Sequence, residues 1–347
     1  MRFLISPRPT NKYSVGIFLG NVVHELTRRG YQWTAETFHY FGFSGFSWHY
    51  AFMMGCPRYI KRIFDSGKPV ILTIGKPESR EECKAHNREY LPEYEQQELM
   101  MASAIRETNK VVFNSYYVKD IWKNIFQARR LQFPSDRKVT VIHHGVDTNL
   151  FSPSKRIKTT PFVIGSVGAL RERFRLKTLF EVSRLLDFEH SLLLVGSMDI
   201  YCKDEFKKAM QDPLLSKRIT YIPWIDVNHL PSYYGNMHCL FHPVDYESFG
   251  IVVAEAIACG VPVVVPAHGA PKEYILHNGG IVVDTDQFNY NEDFCQKMAK
   301  AVTQIRENWL EFVQGARESA VQNVSIEKCV DFYLDFMGLP RHIGINN

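Results

Sequence analysis

Residues 245–266 read DYESFGIVVAEAIACGVPVVVP. A short apolar run, Cys239–Pro243, precedes them, and helical spacing follows from Phe249 to Cys259. A second apolar run, Pro262–Pro266, comes next. Strand, loop, helix and strand in this order make a βα unit of a parallel sheet, buried on both faces. Glu247 falls in the loop after the first strand, and Glu255 about two turns inside the helix. The amides of Phe249, Gly250 and Ile251 stand at the helix start, where free N–H groups and the helix dipole favour an anion such as phosphate. Gly250 lets a ligand approach the backbone closely. Ionised carboxylates beside it accept hydrogen bonds from sugar and ribose hydroxyls. A surface helix with two solvated glutamates is the other reading of this spacing.

Outward from this stretch the same alternation repeats. Downstream, Ile281–Val283 closes the last βα element. Phe294–Val313 reads as one long amphipathic helix with Phe294, Met298, Val302, Ile305, Trp309 and Phe312 on one stripe. Ser325 reads as the N-cap of a final helix, 326–336. Upstream, Phe162–Val167, Ser191–Gly196 and Ile219–Ile222 read as strands. Thr178–Leu186, Glu205–Met210 and His229–Tyr234 read as helices. Before a basic, polar linker at 152–160, the strands are Arg2–Ser6, 32–38, Pro69–Ile74, Val111–Asn114 and Val139–His143. Helices are expected at 16–29, closed by Gly30, and at 116–126. Residues 38–54, rich in aromatics and glycine, take no assignment. Strands alternating with helices, twice over, predict an α/β chain of two Rossmann-like domains with parallel sheets facing a cleft. The expected division is 1–153, 154–325, and a terminal helix at 326–347 returning to the first domain.

The chain has 347 residues, which suits two cores rather than one. Hydrophobic residues at 45% and charged residues at 22% are the balance of a soluble globular protein, and a net charge of +4 does not call for nucleic acid. The seven cysteines, 56, 83, 202, 239, 259, 295 and 329, contain no C-x-x-C pair. A zinc knuckle or disulfide framework is not expected, and a reducing, cytoplasmic setting is. The opening MRFLISPRPTNKY does not read as a signal peptide, and no run of 18 apolar residues is present. His143 and His144 lack a third ligand at a sensible spacing, so no metal site is predicted.

The ordered matches around Glu247 and Glu255 resemble the E-x7-E signature of the retaining GT-B glycosyltransferases, glycosyltransferase family four (glycosyl transferases group 1). The resemblance continues through Ala258–Val264 (ACGVPVV), Gly269–Ile275 (GAPKEYI) and Gly280. Upstream, Val141–Phe151 (VIHHGVDTNLF) is similar to the family's interdomain motif with His144 in place of Asn, and Val111–Ser115 to its last N-domain strand. Arg171 and Lys177 match an Arg and a Lys six apart that the family uses on the donor diphosphate, with Thr178 where Gly is usual. Four cations in seven residues also fit a solvated loop. Trp224 and Ile225 fall where the family holds the base. Of its Gly-Gly loop only Gly16 is matched. Gly75 occupies the position of the family's His, and His39, His49 and His86 are the substitutes to consider.

The resemblance implies a metal-independent hexosyltransferase with no cofactor. It would move a sugar, with retention, from a UDP- or GDP-sugar to a hydroxyl of a glycan, glycolipid or other glycoconjugate. A lipid-linked acceptor and peripheral membrane contact are compatible with that class. Glu247 would orient the sugar, Glu255 and Ser248 through Ile251 would hold the donor, and Arg171 and Lys177 would meet the leaving group. A nucleotide-sugar-binding protein that has lost catalysis is the alternative. A dinucleotide oxidoreductase would need a G-x-G-x-x-G that Gly16–Gly20 does not supply. A pyridoxal-phosphate phosphorylase of this architecture would need a longer chain.

Overall fold

The structure, a computed structural model, describes residues 1–6, 14–35, 50–54, 67–85, 88–154, 161–171, 175–284 and 291–343. The chain forms two compact units, Met1–Gly145 with Ser325–Asn347, and Val146–Val324.

In the first unit the strands are β1 (Arg2–Ser6), β2 (Gln32–Ala35), β3 (Tyr50–Met54), β4 (Val70–Ile74), β5 (Lys110–Phe113) and β6 (Val139–Val141). They pair in parallel in the order β2-β1-β3-β4-β5-β6. Helices α1 (Ser14–Arg28), α2 (Arg80–Ala85), α3 (Pro92–Glu107) and α4 (Tyr116–Ala128) alternate with them, and α12 (Ile326–Met337) completes the unit. The period of two along the strands divides the core. Ile71 and Val112 face α1 and α12, with Phe18, Val22, Leu26, Cys329, Val330 and Tyr333. Val70, Leu72, Ile74, Val111 and Phe113 face α3 and α4, with Ile105, Val118, Trp122 and Phe126. Each such fully buried side chain contributes about 1.5–3 kcal/mol. Ser115 caps α4 by accepting from Val118 N (3.1 Å), and Ser325 caps α12 by accepting from Lys328 N (3.4 Å). The Tyr333 and Thr73 hydroxyls hydrogen-bond at 2.9 Å.

The second unit contains β7 (Phe162–Val167), β8 (His190–Val195), β9 (Ile219–Ile222), β10 (Cys239–Phe241), β11 (Val263–Pro266) and β12 (Gly280–Val283). Its helices are α5 (Leu176–Leu185), α6 (Ile200–Gln211), α7 (Pro213–Ser216), α8 (Leu230–Gly235), α9 (Ile251–Ala258), α10 (Glu292–Glu307) and α11 (Trp309–Asn323). The sheet is parallel, in the order β12-β11-β10-β7-β8-β9. Leu192 and Leu194 of β8 and Val264 of β11 face one core. Leu193 and Val195 of β8, with Val263 and Val265 of β11, face the other.

Several expectations are corrected. The single helix expected over 294–313 is two, because Asn308 leaves the helical region (φ −113°, ψ 31°) between α10 and α11. The apolar stripe hides this break: Trp309 stays buried, its Nε1 donating to His238 O at 3.0 Å, and Phe312 joins the same core. Strand β3 lies in the unassigned stretch, and α2 and α3 were not anticipated. Residues 146–153, grouped with the first domain on sequence, lie in the second unit. Val146 N donates to Val324 O (2.8 Å), and Val146 and Phe151 belong to the second unit's core. Among the described residues no helix is long and apolar enough to cross a membrane, and the six described cysteines are buried thiols.

Candidate functional site

In the second sheet β8 and β9 extend to one side of β7, while β10, β11 and β12 extend to the other. The connections that leave β7 and β10 at their carboxyl ends therefore diverge, which makes the crevice where open α/β sheets bind ligands. Arg171 and Lys177 are carried by the first connection, and Glu247 to Ile251 by the second. Cys239 of β10 pairs with Ile164 of β7, so sequence positions some 75 residues apart become neighbours.

The connection after β10 is tightly built. Tyr246 takes a positive φ of 57° and is buried. Glu247 forms an isolated parallel bridge with Gly269, its carbonyl accepting from Ala270 N at 2.9 Å. Gly250 is the N-cap of α9 in the left-handed region (φ 84°, ψ 64°). A Cβ there would stand 3.1 Å from Glu247 Cγ, 3.2 Å from Pro271 Cγ and 3.2 Å from the Tyr274 hydroxyl, so conformation and space both ask for glycine. The Tyr274 hydroxyl donates to Phe249 O (2.6 Å) and lies 3.1 Å from Gly250 O, pinning the turn from behind. The helix starts at Ile251, two residues later than the sequence suggests, so the Phe249 amide precedes the helix. Val253 N and Ala254 N both donate to Gly250 O (2.9 and 3.1 Å), while the Ile251 and Val252 amides at the helix start point back into this turn, where helical geometry gives them no intrahelical acceptor.

The two glutamates differ in setting. Glu247 is partly exposed, with Oε2 3.7 Å from His242 Nε2. Glu255 is 2% exposed and accepts from the Tyr234 hydroxyl at 2.9 Å. Burial pushes its carboxyl up to about 7, against the Tyr234 hydrogen bond, which lowers it. The Tyr234 hydroxyl oxygen also lies 3.2 Å from Val252 O, so α8 sits close against α9.

Arg171 is exposed in the connection after β7, and Lys177 is exposed in the first turn of α5. The structure adds a residue the sequence reading passed over. Arg175, in the left-handed region (φ 47°), donates from Nη2 to Asp245 Oδ2 at 3.1 Å, and Asp245 is 2% exposed. This ion pair joins the connection holding Arg171 and Lys177 to the one holding Glu247. Only the side-chain types could have hinted at it, because its partners are 70 positions apart.

The remaining predicted residues are spread wider. Ser248 is partly exposed beside Phe249, whose buried ring packs tilted against Tyr274, centroids 5.0 Å apart. Trp224 is 73% exposed in the connection after β9, and Ile225 packs against the core around Tyr234. With β8 between, β9 lies about 10 Å from β7 at ordinary strand spacing. Gly16 lies in the first turn of α1, in the other unit. There too β1 and β3 are neighbours at a switch point, and the residues just after both strands lie outside the described set. His39, His49 and His86 fall outside the described residues. Gly75 follows β4, accepts from Trp122 Nε1 at 3.0 Å, and a Cβ there would meet nothing within 4 Å. His144 is buried against Phe18 (4.0 Å), and its ring nitrogen lies 3.4 Å from Asn114 Nδ2. Burial, then the neighbouring His143, lowers it to about 3, so it is neutral. Among the described residues no three His, Cys, Asp or Glu side chains group as metal ligands.

Comparison with known proteins agrees with this layout. Residues 147–313 match the profile of the family described as Glycosyl transferases group 1. The O-antigen chain mannosyltransferase RfbU of Salmonella typhimurium is 23% identical over 206 residues, 59% of this chain and 54% of that protein. The chain spans between 32% and 57% of the length of the first three curated relatives it matches. Sucrose-phosphate synthase from Thermosynechococcus elongatus superposes with a TM-score of 0.73 at 15% identity, covering 97% of this chain and 99% of that one. Anabaena Alr3699/HepE, solved in complex with UDP, superposes with a TM-score of 0.69 at 14% identity over 97% and 99%. Residues 147–313 thus resemble the glycosyl transferases group 1 family, and the chain has the GT-B glycosyltransferase fold.

Proposed function

We propose that this protein is a retaining glycosyltransferase that takes a sugar from a UDP- or GDP-sugar, without a metal, and places it on a hydroxyl of a glycan, glycolipid or glycoconjugate. The observation that carries the reading is the Arg175–Asp245 ion pair at the β7/β10 switch point, which joins the connection carrying Arg171 and Lys177 to the one carrying Glu247 and the glycine-capped start of α9. Breaking the sugar–phosphate bond places negative charge on the departing diphosphate and positive charge at the anomeric carbon. Arg171, Lys177 and the Phe249 to Ile251 amides stabilise the first, and preorganised donors of this kind supply a large share of catalysis. Glu247 orients the sugar, and Glu255 accepts from ribose hydroxyls. The enzyme works in the cytoplasm on soluble or membrane-held acceptors. The similarity to RfbU, an O-antigen chain mannosyltransferase, and to HepE, solved with UDP, supports a sugar transferred from a nucleotide donor.

Calorimetric titration with UDP and GDP tests the reading. Arg171→Ala and Lys177→Ala should each lose roughly 1.5–3 kcal/mol of nucleotide affinity, the worth of a charge-assisted hydrogen bond. Glu247→Gln should instead lower kcat with a donor sugar and leave nucleotide binding in place. Unchanged affinity in both cation variants overturns the assignment. Nucleotide binding without any sugar release would leave a binding protein, not an enzyme.

A further inference from the structure

Asp245 and Glu247 stand two positions apart in the connection after β10, and the fold gives them different partners. Asp245 is 2% exposed and held by the Arg175 guanidinium, so its charge is already matched. Glu247 keeps 13% of its side chain exposed and lies against a second buried base, His242, with 3.7 Å between Oε2 and Nε2. His242 is the first residue after β10 and is 1% exposed. Its own amide donates to Val264 O at 2.9 Å, continuing the pairing with β11. The imidazole is therefore carried by the sheet rather than by the loop, and a group carried by a strand is held more precisely than one on a loop.

Two contacts give the direction of the Glu247 side chain. A Cβ at Gly250 would stand 3.1 Å from Glu247 Cγ, so the side chain lies back over the glycine at the helix start. Its carboxylate then reaches the end of β10, where His242 stands. The backbone of the turn is fixed by the bridge to Gly269. A fixed backbone still leaves a glutamate its side-chain torsions, and a partly exposed carboxylate spreads over several rotamers unless something meets its oxygens. The ring meets one of them. At 3.7 Å the contact is electrostatic, and a shift of about 0.5–1 Å brings it to hydrogen-bond length. Contacts of this kind are often long in the free enzyme and tighten when substrate binds. A carboxylate accepts about four hydrogen bonds, so a contact at Oε2 does not exclude sugar hydroxyls.

We propose that His242 is a positioning residue for sugar transfer. It holds the Glu247 carboxylate in the arrangement that meets the donor sugar, and does not itself touch the sugar. The role in transfer rests on the glycosyltransferase reading above; the His242–Glu247 contact does not.

The test uses the full chain and three replacements. Gln sets an amide nitrogen near the place of Nε2, Asn sets one near Nδ1, and Leu sets none. The donor is whichever of a panel of UDP- and GDP-sugars the native chain turns over fastest. A misplacement of 1 Å can cost about 10²-fold, so a fraction of it should lower kcat about tenfold in His242→Leu and His242→Asn. Donor KM and nucleotide affinity should stay within about twofold, and His242→Gln should recover most of kcat. In a Glu247→Gln background His242→Leu should cost less than about twofold more, because residues that act as one unit are not additive. Gln and Asn are alike in polarity, so their comparison stands if the Leu variant does not fold. Equal kcat in the Gln and Asn variants, an equal loss in both backgrounds, or a parallel loss of nucleotide affinity overturns the positioning role. Nitrogen-15 NMR of the histidine rings reads the contact without turnover, the His242 signals being those lost in His242→Gln. Nε2 should be protonated, and its signal should move in Glu247→Gln. An unprotonated Nε2, or a signal indifferent to Glu247, overturns the contact. This NMR response in a chain that releases sugar from no member of the panel would overturn the glycosyltransferase reading, and the positioning role with it, and leave the contact standing.

Discussion

Glu255 should make the second unit less stable as the pH rises. Its carboxyl is held at about 7 in the folded chain against an ordinary value of 4.5, because burial costs the ionised form more than the Tyr234 hydroxyl returns. Below pH 4.5 the group is protonated in both folded and unfolded chains and contributes no difference. Between 4.5 and about 7 the unfolded chain ionises first and binds fewer protons, so folding loses free energy with rising pH. Above about 7 the loss is complete. At about 1.36 kcal/mol for each pH unit, the whole interval is worth about 3 kcal/mol. For a unit of this size, with about 2–4 °C per kcal/mol, the loss corresponds to about 6–12 °C in Tm. The assay is thermal unfolding of the native chain and of Glu255→Gln, side by side, from pH 4 to pH 8. Gln keeps an oxygen for Tyr234 and has no charge to lose, so the variant should gain on the native chain as pH rises and level off near pH 7–8. Tyr234→Phe removes the donor that favours the ionised form and should widen the gap. A difference between native chain and Glu255→Gln that does not change across this range would refute the argument.

Three further outcomes are expected. Gly250→Ala forces a side chain into the left-handed region and against Glu247, Pro271 and Tyr274, which should cost about 1–2 kcal/mol in urea unfolding from the backbone alone and lower kcat through the displaced Glu247. Asp245→Asn leaves the Arg175 guanidinium without its buried carboxylate; it should destabilise by about 3 kcal/mol, and Arg175→Gln on top of it should add less than it costs alone, which a double-mutant cycle reads directly. Turnover measured in EDTA should equal turnover with added magnesium or manganese, and a complete loss restored by either ion would overturn the metal-independent mechanism.

Much of this architecture is legible in the sequence because burial imposes a period. A strand covered on both faces carries an unbroken apolar run, as in Val70–Leu72 and Leu192–Val195, and a helix with one covered face repeats every three to four residues. Local chemistry is equally legible. Ser325 followed by an apolar repeat marks a helix start, and Gly250 between a strand and a helix marks a turn that needs a positive φ. The spacing of Glu247 and Glu255, and of Arg171 and Lys177, is also a local property. Periodicity fails where two states share one pattern. Asn308 interrupts a helix without interrupting the apolar stripe, so Trp309 and Phe312 stay buried and the break leaves no trace in the spacing.

The tertiary structure alone decided which strands are neighbours. The apolar runs of β7 and β10 are alike in kind, and nothing in them says that β10 returns past β8 and β9 to lie beside β7. That placement makes the switch point, brings the cationic connection to the glycine-capped helix start, and lets Arg175 reach Asp245. It also sets Tyr234 against Glu255, 21 positions away, and so decides that one glutamate of the pair is buried near neutrality while the other stays partly exposed. Side-chain spacing reports which faces are covered; pairing across a sheet is settled by the packing of the whole unit, because contacts between distant residues form only when the chain has closed around them.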